Sequence, residues 1–309
     1  MNKKTHNLAA SVKQRLLNLA TANGADFNLM QVRFAIERLL YRMSRSRHAD
    51  AFLLKGAMLF ALWEKHPHRP TRDMDLLFLT AHDRHELAAI FREIAALDVA
   101  PDGLRFDADS VQSDEIREDN AYGGIRVKMV AYLGTARIPV QVDIGLGDAV
   151  HPEPQWTNFA TLLDFPAPRI RPYPVYSVVA EKYHAMAELG IQNTRMKDYF
   201  DILYLQRHIE FAGADLQEAM RKTFQRRRPA LSPGMPEALD KPFWNSALKQ
   251  TQWTAFLRKN HLRVEASLEK VCAEIATFIL PAIQPKPFTL HWTPGIGWHA
   301  QPVKTSNMP

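Results

Sequence analysis

The sequence predicts an α/β fold, in which a mixed sheet lies between an N-terminal helical segment and a C-terminal helical half. Changes in hydrophobic period indicate this arrangement. Apolar residues recur at helical spacing as far as residue 44, and strand and helix patterns alternate from residue 52 onward. Helical spacing returns after a proline-rich stretch at 152–174. We therefore expect one domain over 1–150, a helical domain over 175–282 and an irregular tail over 283–309.

Two helices are predicted at the start of the chain. Apolar side chains at helical spacing place them over 6–22 and 28–44. Between them, Gly24 supplies a stop signal for the first helix and Asn28 an N-cap for the second. The sheet-forming part of the chain therefore starts after both helices.

The middle of the chain alternates short strands with helices. The predicted elements are, in order, a strand at 52–54, a helix at 57–63, a strand at 74–79, a helix at 84–97, and strands at 124–133 and 138–144. A tight connection around Gly134-Thr135 joins the last two strands. Together these elements form an α/β unit.

The composition limits the class of protein. With 46% hydrophobic residues among 309, the chain can bury a large core, which excludes disorder of the whole chain. The net charge of +6 favours an acidic partner, namely RNA, a nucleoside triphosphate or an acidic protein. The single cysteine, Cys272, excludes a disulfide framework and a cysteine metal site, and it fits a reducing cytoplasm. The N-terminus has no apolar signal core, and Lys55 and Gly56 interrupt the most apolar stretch. We therefore expect neither export nor a membrane span.

Three aspartates carry the chemistry that the sequence predicts. Asp73 and Asp75 are spaced i, i+2 at the mouth of a strand, so their side chains point to the same face. Carboxylates held that close repel each other unless a cation lies between them, and magnesium (Mg2+) prefers oxygen ligands. Asp143 ends a later alternating run and can lie beside the pair. The three acids can hold two metal ions, one to activate an attacking hydroxyl and one to stabilise the leaving group of a triphosphate.

A glycine and two cations near the acids suggest a phosphate site. Gly56 lies at a strand-to-helix turn, where the backbone can approach a phosphate closely. Lys55 and Arg72 can add positive charge. Each feature also has a simpler interpretation, because Gly56 can serve a plain turn, the cations can be solvated surface charges, and Asp-x-Asp is common by chance. The order of the features, with glycine first, then the acid pair, then a single acid, favours function.

That order resembles the minimal nucleotidyltransferase signature. The segments 52–59 and 69–76, which contain Leu54-Lys55-Gly56-Ala57 and Thr71-Arg72-Asp73-Met74-Asp75-Leu76, are similar to those of the AbiEii/AbiGii toxin family, which includes the MenT toxins. Glu181-Lys182, read as opening a helix, and the segment 195–203 are similar to the family's later lysine motif and Arg/Lys-Asp-x-x-Asp-Leu motif. The resemblance covers about residues 50–205, and more loosely extends to 282. Ala57 departs from the usual second Gly or Ser, which removes a hydroxyl contact to phosphate and leaves the backbone N–H.

The resemblance implies both a fold and an activity. It implies a nucleotidyltransferase-like domain over 1–150 in a toxin of a toxin–antitoxin or phage-defence system. Such a toxin moves a nucleotide from a nucleoside triphosphate to an acceptor, which is the 3′ end of tRNA for MenT members, and its partner is a separately encoded antitoxin. Lys182 is then expected to contact the triphosphate, and Asp198 to orient Lys182 or a nucleotide hydroxyl. The simpler interpretation of the later motif is ordinary salt bridges on a helix surface, with the role of Asp201 left open.

Two other functions remain open at the level of sequence. A catalytically silent nucleotidyltransferase-like module would act by binding a protein or RNA, although the presence of all three acids argues against it. Transfer of a nucleotide to a protein or to a small molecule would use the same residues. Nothing in the sequence separates these acceptors from tRNA.

Overall fold

A computed structural model describes residues 3–63, 71–80, 83–116, 123–227 and 230–300 of the chain. Residues 69 and 70 of the motif segment, and residues 301–309 of the expected tail, lie outside the described residues. The chain divides into two compact units, one formed by 1–148 with 154–173 and the other by 149–153 with 174–309.

The first unit begins with two helices. Helix α1 spans Lys3–Ala22 and α2 spans Phe27–Arg45. The N-cap of α2 is Asp26, whose carboxylate accepts a 2.7 Å hydrogen bond from the Leu29 N–H. The predicted N-cap, Asn28, is therefore wrong by two positions, because an aspartate that comes earlier already satisfies a free N–H of the first turn.

A five-stranded mixed sheet forms the centre of the first unit. Its strands are β1 (Phe52–Lys55), β2 (Asp73–Phe78), β3 (Leu104–Ile116), β4 (Gly124–Leu133) and β5 (Ala136–Leu146). They lie in the order β1-β2-β5-β4-β3, and only β2 and β5 run parallel. A 3-10 turn at Gly56–Leu59 and the short α3 (Phe60–Trp63) follow β1, and α4 (Arg84–Ala96) follows β2.

Strand β3 has no counterpart in the sequence prediction. Its burial alternates poorly, since most of its side chains are polar and partly exposed. The register with β4 also shifts between Asp107 and Gln112, which marks an irregularity in the strand. A period of two interrupted in this way is hidden from a search for alternating apolar residues.

The proline-rich stretch is not a simple joint. Residues 154–173 belong to the first unit, where β6 (Thr157–Asn158) pairs with β7 (Arg169–Ile170). The backbone of Leu54 in β1 exchanges hydrogen bonds of 2.9 and 2.8 Å with Arg171 and Tyr173. This part of the stretch therefore covers the outer edge of the sheet, which would otherwise expose unpaired backbone groups.

The second unit is mainly helical. Its helices are α5 (Val175–Leu189), α6 (Met196–His208), α7 (Gly213–Arg226), α8 (Lys241–Trp244), α9 (Ala247–Lys259) and α10 (Leu268–Ile279). A small sheet joins β8 (Phe211–Ala212), β9 (His291–Thr293) and β10 (Gly297–His299).

The prediction of an irregular tail is wrong for the segment that contains β9 and β10. Trp292 and Trp298 pack against Phe278 of α10, with ring centroids 4.9 and 5.7 Å from its ring. The indole N–H groups of both tryptophans donate to backbone carbonyls, at Gln206 and Phe278. Burial of aromatic rings with their N–H groups satisfied holds this segment in place despite its prolines.

Among the described residues, no helix is long and apolar enough to cross a membrane.

Candidate functional site

The structure brings the three predicted acids to one face of the sheet. Strands β2 and β5 are parallel neighbours, and Asp75 is the register partner of Asp143. Asp73 lies two residues before Asp75 and points to the same side, whereas Met74 and its register partner Val142 are fully buried on the opposite side. The alternation that predicted Asp143 beside the acid pair thus agrees with the observed register.

These acids belong to a row of charges that crosses all five strands. The register pairs Lys55 with Asp75, Asp75 with Asp143, Asp143 with Arg126, and Arg126 with Asp114. Opposite charges face each other at every step except one, where Asp75 and Asp143 are direct neighbours. Like charges directly opposite each other on a sheet are destabilising. A bound cation would therefore stabilise the row most at the position of Asp75 and Asp143.

Arg126 contacts Asp143 and was not predicted from the sequence. Its guanidinium donates two hydrogen bonds to the carboxylate, Nε to Oδ1 at 2.8 Å and Nη2 to Oδ2 at 2.7 Å. These hydrogen bonds raise the pKa of Arg126 above its ordinary value, and the charges of Asp143, Asp73 and Asp114 add to the increase against the effect of burial. The signal in the sequence is the alternation of Arg126 and Lys128 with apolar residues in β4, which places both cations on the polar face.

The two acids of the pair have different neighbours. The hydroxyl of Thr71 donates a 2.8 Å hydrogen bond to Oδ1 of Asp73 and so orients that carboxylate. The carboxylate of Asp75 lies against the backbone of Gly56, where a Cβ would be only 1.7 Å from Asp75 Oδ2. Gly56 also has a positive φ of 69°. Both the backbone conformation and the approach of Asp75 therefore require glycine at the turn.

The other residues predicted to bind nucleotide have distinct environments. The ammonium of Lys55 donates a 2.6 Å hydrogen bond to Asp148 and lies 4.4 Å from the centre of the Tyr173 ring. Its side chain is only 13% exposed, so the interpretation of Lys55 as a solvated surface charge is wrong. Arg72 is exposed immediately before β2, and Ala57 is buried in the turn after Gly56.

The donor chemistry of the acids fits a divalent cation, although their arrangement is not a preformed three-ligand site. Asp73, Asp75 and Asp143 present carboxylate oxygens on one face, which are the ligands that magnesium and similar ions prefer. Within the described part of the chain, however, no group of three His, Cys, Asp or Glu side chains is placed to hold a metal. The guanidinium of Arg126 is paired with both oxygens of Asp143 instead.

The later motif forms a buried ion cluster in the second unit. The ammonium of Lys182 donates to Asp198 Oδ1 at 2.9 Å and to Asp201 Oδ2 at 2.7 Å, and Arg195 Nε donates to Asp198 Oδ2 at 2.6 Å. Both aspartate side chains are 0% exposed. Burial alone would raise the pKa of Asp198, but the charges of Lys182 and Arg195 outweigh it and hold that pKa below its ordinary value.

Two expectations about this motif need correction. Lys182 does not open a helix, because α5 begins at Val175, directly after Pro174 as its N-cap. An unfavourable interaction with the helix dipole therefore gives no reason to assign Lys182 a function, since the dipole effect is confined to the first turn. An i, i+3 salt bridge between Arg195 and Asp198 does form, as the simpler interpretation expects. Its setting is not a helix surface, because Asp198 and Asp201 are fully buried.

Comparisons with known proteins identify the family of the chain. The profile of the family described as "Nucleotidyl transferase AbiEii toxin, Type IV TA system" matches residues 38–273. A crystal structure of JHP933 from Helicobacter pylori has a TM-score of 0.42 at 14% identity, over 80% of this chain and 85% of that one. The structure of a candidate nucleotidyltransferase from H. pylori has a TM-score of 0.41 at 13% identity, over 80% and 88%. A comparison with curated protein sequences found no match.

The family match covers most of the chain and includes both the acids of the sheet and the Lys182 cluster. It confirms the predicted nucleotidyltransferase-like α/β fold and the nucleotidyltransferase activity. It also implies a nucleoside triphosphate as substrate and an antitoxin as partner. The chain belongs to the AbiEii nucleotidyltransferase toxin family of type IV toxin–antitoxin systems.

Proposed function

We propose that the protein transfers a nucleotide from a nucleoside triphosphate to the 3′ end of tRNA, in a magnesium-dependent reaction in the cytoplasm. One observation carries the proposal. Asp75 and Asp143 are register partners on parallel strands, on the same face as Asp73. A divalent cation would relieve the repulsion between acids arranged in this way. Nucleotidyl transfer needs such a cation to offset the negative charge of a triphosphate.

The residues of the first unit take three roles in this proposal. Asp73, Asp75 and Asp143 would hold magnesium, which supplies charge neutralisation for the triphosphate and lowers the pKa of the attacking hydroxyl. The backbone at Gly56 and Ala57, with Arg72, binds the triphosphate. Arg126 adds a fixed positive charge beside Asp143, where negative charge accumulates during transfer.

Lys182 is a triphosphate-binding residue in the same proposal. Two buried carboxylates, Asp198 and Asp201, hold its ammonium in one position. A cation fixed in advance loses little freedom when it meets a phosphate, which is what favours transition-state binding. Asp198 acts as a positioning residue, because its hydrogen bonds go to Lys182 and Arg195.

Label transfer from each α-labelled nucleoside triphosphate tests the proposal. The purified protein is incubated with total tRNA, with cellular protein or with neither, in magnesium or in excess EDTA. We expect label in tRNA, only with magnesium. Periodate oxidation of the terminal ribose removes the acceptor hydroxyls and should abolish labelling. Label in protein would contradict the tRNA assignment, and labelling in EDTA would contradict the metal.

A matched pair of variants links the activity to the acids. Asp75→Asn removes a carboxylate at the like-charged step of the row and should abolish transfer. Asp114→Asn removes a carboxylate from the same row on the outer strand, where the side chain is 62% exposed and 3.4 Å from Lys128. That control should transfer normally. Equal loss in both variants would show that the general charge of the face, rather than a metal site, supports the activity.

A further inference from the structure

A groove in the first unit lies beside the acids, and of its lining residues only Arg72, next to Asp73, has a role in the proposed chemistry. It has a volume of about 830 Å3. Its lining includes Gln112, Lys128 and Gln141, which are register partners of one another across β3, β4 and β5, and Gln141 is in turn the register partner of Asp73. The groove therefore starts next to the acid pair and extends away from it toward β3.

The groove is positively charged. Its lining contains three cations, Arg72, Lys128 and Arg137, and one acid, Asp26, which is already engaged as the N-cap of α2. Among the residues that the structure describes, neither Arg72 nor Arg137 forms a salt bridge, and both are exposed. Lys128 has only a long, solvent-exposed contact of 3.4 Å with Asp114. Cations held without close counter-ions favour an anionic ligand.

A buried amide in the groove has an unused hydrogen-bond donor. Gln31 of α2 lines the groove and is only 7% exposed. Its Nε2 donates no hydrogen bond to any described residue. Buried donors are rarely left unpaired in folded proteins, because their desolvation is not compensated. A ligand that brings an acceptor oxygen or nitrogen into the groove would satisfy it.

We propose that this groove binds the single-stranded 3′ end of the acceptor RNA, with its phosphates on Lys128 and Arg137 and the amide of Gln31 donating to a base. The inference rests on the proposed function. In the sheet order, Gly56 follows β1 on one side of the acids, and the groove lies on the other side, along β4 and β3. In an in-line displacement, the attacking hydroxyl approaches the phosphorus from the side opposite to the one from which the pyrophosphate leaves. If the Gly56 turn holds the triphosphate, the acceptor occupies the groove.

The distribution of positive charge along the groove favours an RNA strand over a second nucleoside triphosphate as its ligand. Lys128 is the register partner of Gln141, and Arg137 lies four residues before Gln141 on the same face of β5, so the two cations are about 13 Å apart along the strands. The cations are thus spread along the groove, as a sugar–phosphate backbone requires, rather than gathered at one point as a triphosphate requires. No aromatic side chain is among the described lining residues. RNA would therefore be bound through contacts of cations with its phosphates and of amides with its bases, rather than through base stacking.

Fluorescence anisotropy tests the groove directly. The probe is a labelled single-stranded RNA of about ten nucleotides, titrated with the full-length protein at several salt concentrations. Arg137→Gln should weaken RNA binding, and should make the slope of log affinity against log salt shallower by about 0.7, as expected for one lost phosphate contact on a single strand. Gln31→Leu should weaken binding about fivefold, a typical effect of one neutral hydrogen bond, without changing the slope.

Controls separate the groove from general charge and from the nucleotide site. Lys13→Gln removes an exposed cation of α1, outside the groove, and should bind RNA as the wild type does. Affinity for a fluorescent nucleoside triphosphate should be unchanged in all three variants. Thermal melts identify any misfolding in Gln31→Leu. If that variant misfolds, the RNA affinity of Arg137→Gln, which replaces an exposed side chain, is the test of the inference.

Each outcome bears on the inference. Unchanged RNA affinity in Arg137→Gln, an equal loss in Lys13→Gln, or a loss of nucleoside triphosphate affinity instead of RNA affinity would overturn it. Because binding is measured without transfer, the proposed function fails separately. If the protein binds RNA through the groove but transfers no label to RNA, the proposed reaction is wrong and the assignment of the groove as an RNA-binding site stands.

Discussion

Replacing Lys182 by methionine should cost the second unit a large part of its stability. The ammonium contacts two aspartates whose side chains are 0% exposed, while the lysine side chain itself is only 14% exposed. Removing one partner from a buried ion cluster leaves a charge without compensation, which costs about 3–5 kcal/mol. Arg195 remains on Asp198 at 2.6 Å, so part of the negative charge stays compensated and the lower end of that range applies.

Urea denaturation followed by circular dichroism measures this loss. Lys197→Met is the matched control, because Lys197 lies on α6 next to Asp198 but is exposed. It should change the free energy of unfolding by less than about 1 kcal/mol. The double variant Lys182→Met with Asp201→Asn should recover part of the lost stability, since it removes one of the two buried carboxylates that Lys182 contacts. A Lys182→Met protein as stable as the control would refute the reasoning. Its transfer activity is informative only at temperatures and urea concentrations where the variant remains folded.

Three further predictions concern the first unit. Asp73→Ala should lower nucleotide transfer by at least about a hundredfold with a melting temperature no lower than that of the wild type, because it removes a like charge from the acid cluster; label transfer and a thermal melt check this. Gly56→Ala should also abolish transfer, since the new Cβ would lie 1.7 Å from Asp75 Oδ2, and a crystal structure should show that carboxylate displaced. Burial raises the pKa of Glu37 from an ordinary 4.5 to about 7, so its contribution to stability is complete below pH 4.5 and is lost as the pH rises through 7. Glu37→Gln should flatten that dependence in melts taken between pH 5 and about 8.

The sequence predicts the acids of the site better than their partners. Asp73, Asp75 and Asp143 were placed correctly on one face because alternation along a strand is a local property that each segment displays by itself. The sequence does not indicate a role for Arg126, because its partner Asp143 is 17 residues further along the chain. Only the register of β4 with β5 brings the two side chains together. Register between strands depends on the whole sheet, so a single segment cannot report it.

The sequence does not predict the strands whose alternation of apolar and polar residues is weak. Strand β3 is mostly polar and carries a register shift, and the hairpin of β9 and β10 consists of two short strands among prolines and glycines. In both cases the element is stabilised by contacts with distant residues, such as Trp298 stacking on Phe278. Helices with a regular apolar stripe, such as α2, were predicted to within one residue at each end because their signal lies within the helix itself.

The close approach of Asp75 to Gly56 has a practical use in work on a toxin. Most inactivating substitutions remove a charged group, and they thereby change the electrostatic field of the site together with its chemistry. An added methyl group at Gly56 would instead displace Asp75 while every acid and base of the row is retained. Such a protein would carry the full charge of the wild type and could be expressed without its antitoxin, which suits it to measurements of nucleotide and RNA binding.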